Sequence, residues 1–93
     1  MWRTDLELAN PNLLDRIPLG REYAVVELSV PDTAAGTTLH QAELRSRFGV
    51  TVVAVKRDEY VTVAPPADYI LANGDLLVII GTNENVFAMK DWN

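Results

Sequence analysis

The sequence predicts an α+β domain, a small mixed β-sheet with two helices in the order β-α-β-β-β-α. Three observations carry that expectation. Tyr23 to Val30 alternates, with Ala24, Val26, Leu28 and Val30 on one face and Glu27 and Ser29 on the other; a period of two is the mark of a half-buried strand. Thr38 to Phe48 carries apolar residues at helical spacing between start and stop signals. Leu76 to Ile80 is apolar at every position, as expected of a strand covered on both faces.

The elements follow in chain order. Residues 1–22 are polar and mixed, with a turn signal at Asn10-Pro11-Asn12. They read as a linker or lead-in, in which Leu13 to Ile17 forms at most one helical turn before Pro18 and Gly20 stop it. The domain proper is expected over 23–93. Pro31-Asp32 ends the first strand. Thr38, with Gln41 three residues on, has the form of a capping box. Leu39, Ala42, Leu44 and Phe48 supply the apolar side of the helix, and Gly49 can take the left-handed conformation that ends it. Arg45 and Arg47 stand in the last turn, where the helix dipole favours cations. Val50 to Val55 is β-branched and reads as a buried strand. Lys56-Arg57-Asp58-Glu59 reads as a solvated, charged turn leading to a hairpin partner at Tyr60 to Val63, which Pro65-Pro66 breaks. A short extended piece leads to the Asn73-Gly74-Asp75 turn and the Leu76–Ile80 strand. A last helix is expected over Asn83 to Trp92.

Composition narrows the function. Ninety-three residues make one domain at most. A net charge of −5 argues against nucleic acid or an anionic membrane surface as the main partner, since both need a basic footprint. No apolar run approaches the roughly 20 residues of a membrane span, so direct membrane insertion is not expected. With no cysteine there is no disulfide, thiolate metal site or cysteine nucleophile. His40 is the sole histidine; a metal site built on it would need carboxylates at spacings the chain does not offer. Ser29 and Ser46 lie in no nucleophile elbow. The five glycines are isolated at element boundaries and form no phosphate loop. The carboxylates are scattered. Nothing singles out the groups an enzyme requires, and none is expected.

One stretch is dense enough to be specific. Gly36 to Leu39, Leu44-Arg45 to Phe48-Gly49, Val52 to Arg57, Pro65, and Gly74-Asp75-Leu76 through Gly81 together resemble the C-terminal regulatory domain of potassium-conductance regulators, the RCK_C or TrkA-C family. The resemblance runs from about Tyr23 to Met89. The lead-in Asn10 to Leu19 is similar to the linker of Ktr-type cytosolic subunits of potassium uptake systems. The chain looks like an isolated C-domain, either a fragment or a small stand-alone version, and carries no Gly-rich fingerprint of the Rossmann half of such subunits. What the resemblance implies is a cytoplasmic homodimer without catalytic turnover or resident cofactor. It would be peripheral to a membrane-embedded potassium channel or transporter subunit and regulate it through a small effector. Several relatives bind cyclic di-AMP at the two-fold interface. Carried over by position, the ligand residues are Leu39, Leu44, Arg45, Val50, Thr51 and Pro65, with Glu43 and Arg47 nearby. A guanidinium at Arg45 suits a phosphate. Leu39, Leu44 and Pro65 suit the apolar wall for an adenine, and backbone groups around Val50 and Thr51 suit its edge. The cyclic di-AMP-binding relatives commonly place Asn at the position of Thr51, which here offers one hydroxyl instead of an amide. The other implied reading is a structural dimerisation module with no small-molecule ligand.

Overall fold

The computed structural model describes residues 13–92. Five strands form one sheet in the order β1-β2-β5-β3-β4: β1 Leu13–Leu19, β2 Tyr23–Ser29, β3 Thr51–Arg57, β4 Tyr60–Val63 and β5 Leu76–Thr82. Between β2 and β3 lie a 3-10 turn (Asp32–Ala34) and two short helices, α1 (Leu39–Ala42) and α2 (Leu44–Phe48). After β5 come α3 (Asn83–Ala88) and a closing 3-10 turn (Met89–Asp91).

The α+β class holds, with every pairing antiparallel where a mixed sheet was expected. The reason is β5. It lies between β2 and β3 and runs against both, so the two strands joined by the helical crossover never pair directly. The same placement makes Leu76–Ile80 the middle of the sheet, as its composition required.

Three local expectations are corrected. The expected helical turn at Leu13 to Ile17 is part of β1, paired with β2 from Leu13↔Leu28 to Leu19↔Tyr23. Pro18 lacks a ladder donor but sits on an edge strand, where that loss is tolerated, and Gly20 turns the chain at a φ of 64°. The helix expected from Thr38 to Phe48 is broken at Glu43, whose backbone is left-handed at φ 50°, ψ 40°. Lys56 and Arg57 belong to β3 rather than to a solvated turn. Only Asp58-Glu59 turns, with Asp58 at a φ of 54°.

Caps and stops behave as their chemistry dictates. The Thr38 hydroxyl accepts from Gln41 N–H at 3.1 Å, and the Gln41 side chain accepts from Thr38 N–H at 2.9 Å. Gly49 closes α2 at a φ of 73°, and a Cβ there would meet the Asn85 amide at 2.6 Å. The helices cover one face of the sheet. Ala24, Val26, Leu28, Leu77 and Ile79 from the strands meet Ala42, Leu44, Val86, Met89 and Trp92 in a single buried cluster. The other face is open. Leu76, Val78 and Ile80 are half-buried there, so β5 is fully covered on one side only. By register Glu27 and Lys56 share that open face, and their side chains pair at 3.0 Å.

Candidate functional site

A groove of about 660 Å3 opens beside α1 and α2, lined by Leu39, His40, Glu43, Leu44, Arg45, Ser46 and Ala67. Its shape begins with the break at Glu43. A left-handed residue between two single-turn helices redirects the chain and leaves the exposed Glu43 side chain at the bend. The Glu43 carbonyl is tied down, accepting from Arg47 N–H at 2.8 Å and the Ser46 hydroxyl at 3.2 Å.

The opposite wall is the segment after β4. Its backbone runs beside the start of α1 and supplies partners for amides that a helix leaves without internal acceptors. Leu39 N–H donates to Tyr69 O at 3.0 Å and His40 N–H to Ala67 O at 2.9 Å. Gly36 N–H donates to Leu71 O at 2.7 Å and Leu71 N–H to Thr37 O at 2.8 Å.

That segment is held by an ion pair. Arg57, at the end of β3, donates from Nε and Nη2 to the two Asp75 carboxylate oxygens at 2.8 and 2.7 Å. Nη2 also donates to Ile70 O at 2.9 Å, and the guanidinium stands 5.2 Å from the Tyr69 ring centroid. Asp75 is 1% exposed and accepts a further bond from Ala72 N–H at 3.0 Å. The Arg57 bonds hold the Asp75 carboxyl below the usual carboxylate range, against the opposing pull of burial, with the Ala72 amide helping. The partner bond likewise raises the Arg57 guanidinium above its ordinary value. The reading of Lys56-Arg57 as a solvated hairpin is therefore corrected: Arg57 is a clamp across 18 residues of sequence, and Lys56 pairs with Glu27.

Of the residues named from the sequence, Leu39, Leu44 and Arg45 share the groove, joined by Glu43. Leu44 is also largely core, and Val50 is wholly so. Thr51 lies opposite Ile80 on the open sheet face. Pro65 is half-buried just beyond β4. Arg47 turns to the other side of α2. It stands 5.0 Å from the Phe48 ring centroid and lines a separate small pocket with Thr33, Thr37, Gln41 and Trp92. Ala67, Arg57 and Asp75 were missed as contributors to the groove. Nothing in composition marks Ala67. Arg57 and Asp75 are linked only by a topology that brings the end of β3 to the start of β5. Among the described residues no group of three or more His, Cys, Asp or Glu side chains could hold a metal ion, and no helix is long and apolar enough to cross a membrane.

A five-stranded antiparallel sheet with helices on one face, a groove at the α1–α2 break and an Arg–Asp clamp describes a small α+β domain. Comparison with known proteins makes this particular: residues 24–92 match the TrkA-C domain, and the chain belongs to that family. It is 33% identical over 75 residues to Ktr system potassium uptake protein C of Bacillus subtilis (strain 168), an alignment covering 81% of this chain and 34% of that protein. The chain thus spans about a third of the length of the curated relatives it matches. Among solved structures it is similar to the RCK C domain of the potassium transport protein KtrA in complex with cyclic di-AMP. That likeness has a TM-score of 0.70 at 25% identity, over 73% of this chain and 80% of that one. It is also similar to the RCK_C domain dimer of S. agalactiae BusR in complex with cyclic di-AMP, with a TM-score of 0.63 at 25% identity, over 71% of this chain and 84% of that one.

Proposed function

We propose that this domain regulates a potassium transport protein by binding cyclic di-AMP between two copies of itself, on the cytoplasmic side of a membrane-embedded partner subunit. The observation that carries the reading is the groove. It gathers Leu39, Leu44 and Arg45 against the Ala67 wall in a domain whose neighbours KtrA and BusR are solved with that dinucleotide. The groove is open rather than enclosed. An open half-site suits a ligand with two-fold symmetry, since a second copy related by a two-fold axis supplies the other half. In this reading Arg45, exposed and in no ion pair among the described residues, meets a phosphate, and the apolar wall meets an adenine. Thr51 and Pro65 lie outside the single-copy groove, so the reading has them contribute, if at all, from the second copy.

The test is calorimetric titration of the full chain with cyclic di-AMP near physiological salt. A charge-assisted bond is worth about 1.5–3 kcal/mol. Arg45→Ala should therefore weaken binding at least about tenfold while leaving the melting temperature nearly unchanged. Binding that Arg45→Ala leaves untouched removes Arg45 from the site. A second reading, a dimerisation module without a ligand, draws on the burial of Leu44 and Val50 in the protomer's own core. It takes over if the wild-type chain dimerises and shows no binding at about 100 μM ligand.

A further inference from the structure

The small pocket beside Arg47 is separate from the groove and shares none of its lining residues. Four pieces of the chain meet there. The 3-10 turn after β2 brings Thr33, α1 brings Gln41, α2 brings Arg47, and the closing 3-10 turn is followed by Trp92. Two small buried residues, Ala34 and Ala42, also line it and leave its space unfilled. The volume is about 140 Å3.

The lining is rich in donors and short of acceptors. Arg47 is in no ion pair among the described residues. Its guanidinium makes one long bond, from Nη1 to Ala42 O at 3.4 Å. An arginine carries five N–H groups, so most of them are unspent. The Gln41 side-chain oxygen is committed to Thr38 N–H at 2.9 Å, which fixes the amide while its NH2 group has no partner among the described residues. The Thr33 hydroxyl has none either. Trp92 is 4% exposed, yet its indole N–H is unpaired among the described residues and is not sealed from solvent. Only the Thr37 hydroxyl is spent, donating to Ala34 O at 2.6 Å. Among the described residues no carboxylate lines the pocket.

We propose that this pocket is a binding site for a small oxyanion of the phosphate class. Unspent donors around one guanidinium, with no acid among them, are complementary to an acceptor-only ligand of negative charge. The guanidinium fork matches two phosphate oxygens at once. Donors carried by four different elements suit a tetrahedral anion, whose oxygens point in four directions. A planar carboxylate would use two of them. The volume lies well under the roughly 300–1,000 Å3 of sites for organic ligands. It therefore takes an ion or the phosphate end of a monoester, and a nucleotide's base and sugar would stand outside. The chain's net charge of −5 repels anions at long range, so saturable uptake here requires a specific site. The proposal is independent of the effector reading, which uses Arg45 and the groove.

The experiment is a titration of the 15N-labelled full chain with inorganic phosphate, against sodium chloride at matched ionic strength and against sodium acetate. The readout is the amide spectrum at the Trp92 indole, the Gln41 side-chain NH2 and the Arg47 Nε. The expected result is saturable movement of these signals with phosphate. The dissociation constant should be about 1 mM or below, the strength that a few charged bonds leave after the cost of association. Arg47→Gln should weaken it at least about tenfold, and Thr33→Val about threefold. Thr33 is exposed and its hydroxyl supports no bond of the fold, so that variant tests the site even where Arg47→Gln unfolds. Arg45→Ala should leave the phosphate response in place. No saturable movement, or the same movement with chloride, overturns the proposal. So does binding that both pocket variants retain in full. Acetate binding as tightly as phosphate overturns the phosphate assignment. A response lost in Arg45→Ala and kept in Arg47→Gln puts the anion in the groove and overturns the second site.

Discussion

Asp75 and Glu43 show how much a single residue sets here. The Asp75 carboxyl is held below its ordinary range by Arg57, so the native state favours the carboxylate more than the unfolded chain does. The linkage then has one sign. The contribution is complete above the unfolded value, about 3.9, and is lost as pH falls through the lower native value. Asp75→Asn should cost roughly 1.5–3 kcal/mol at neutral pH, the range for a charged hydrogen bond. The low end is favoured because the Arg57 side chain is 45% exposed and therefore screened. In denaturant melts from pH 7 to 2, the gap between wild type and variant should narrow below about pH 4; a gap independent of pH would show that the pair is not ionic in effect. Glu43 holds a left-handed backbone that costs an L-residue about 1–2 kcal/mol. Glu43→Gly should recover part of it, a net gain of about 0.5–1 kcal/mol after the greater freedom of the unfolded glycine chain. Glu43→Ala is the control that should gain nothing. Equal melting midpoints for all three proteins would place no strain at the bend.

At the level of elements, the sequence was most legible where one local signal suffices. The Thr38–Gln41 box, the Gly49 stop, the β2 alternation and the central place of β5 all appear as read. Legibility failed where partners are distant in sequence. In sequence β1 looks like a lead-in because Asp15, Arg16 and Pro18 break strand patterning, yet pairing with β2 and a bond from Arg16 to the Asn83 side chain fix it as a strand. The helix break at Glu43 follows no glycine or proline signal. The open face of β5 could not be read either, since an all-apolar strand looks alike whether one side or both are covered. A pair of variants measures the asymmetry. Ile79 is fully buried under the helices, and Ile79→Ala should cost about 2–5 kcal/mol. Val78 is half-buried on the other face, and Val78→Ala should cost about 1 kcal/mol. Equal costs in equilibrium unfolding would mean that the open face is covered in solution after all.

For the whole molecule, the family was readable from spaced motifs because each motif marks a backbone requirement: a cap, a left-handed stop, a turn before the central strand. The site was readable only in part. Leu39, Leu44 and Arg45 are neighbours in sequence and remain neighbours in the groove. Thr51 and Pro65 do not line the single-copy groove, and in the proposed reading they contribute from the second copy. The Arg57–Asp75 clamp also ties down Ile70 and Ala72 in the segment that walls the groove. The central claim is that two copies close around one symmetric dinucleotide. Its most direct measurement is the stoichiometry of cyclic di-AMP binding by calorimetry at about 100 μM chain. The account predicts saturation near one ligand per two chains, with a complex mass of a dimer. Saturation at one ligand per chain on a monomer, or no binding at all, would contradict it.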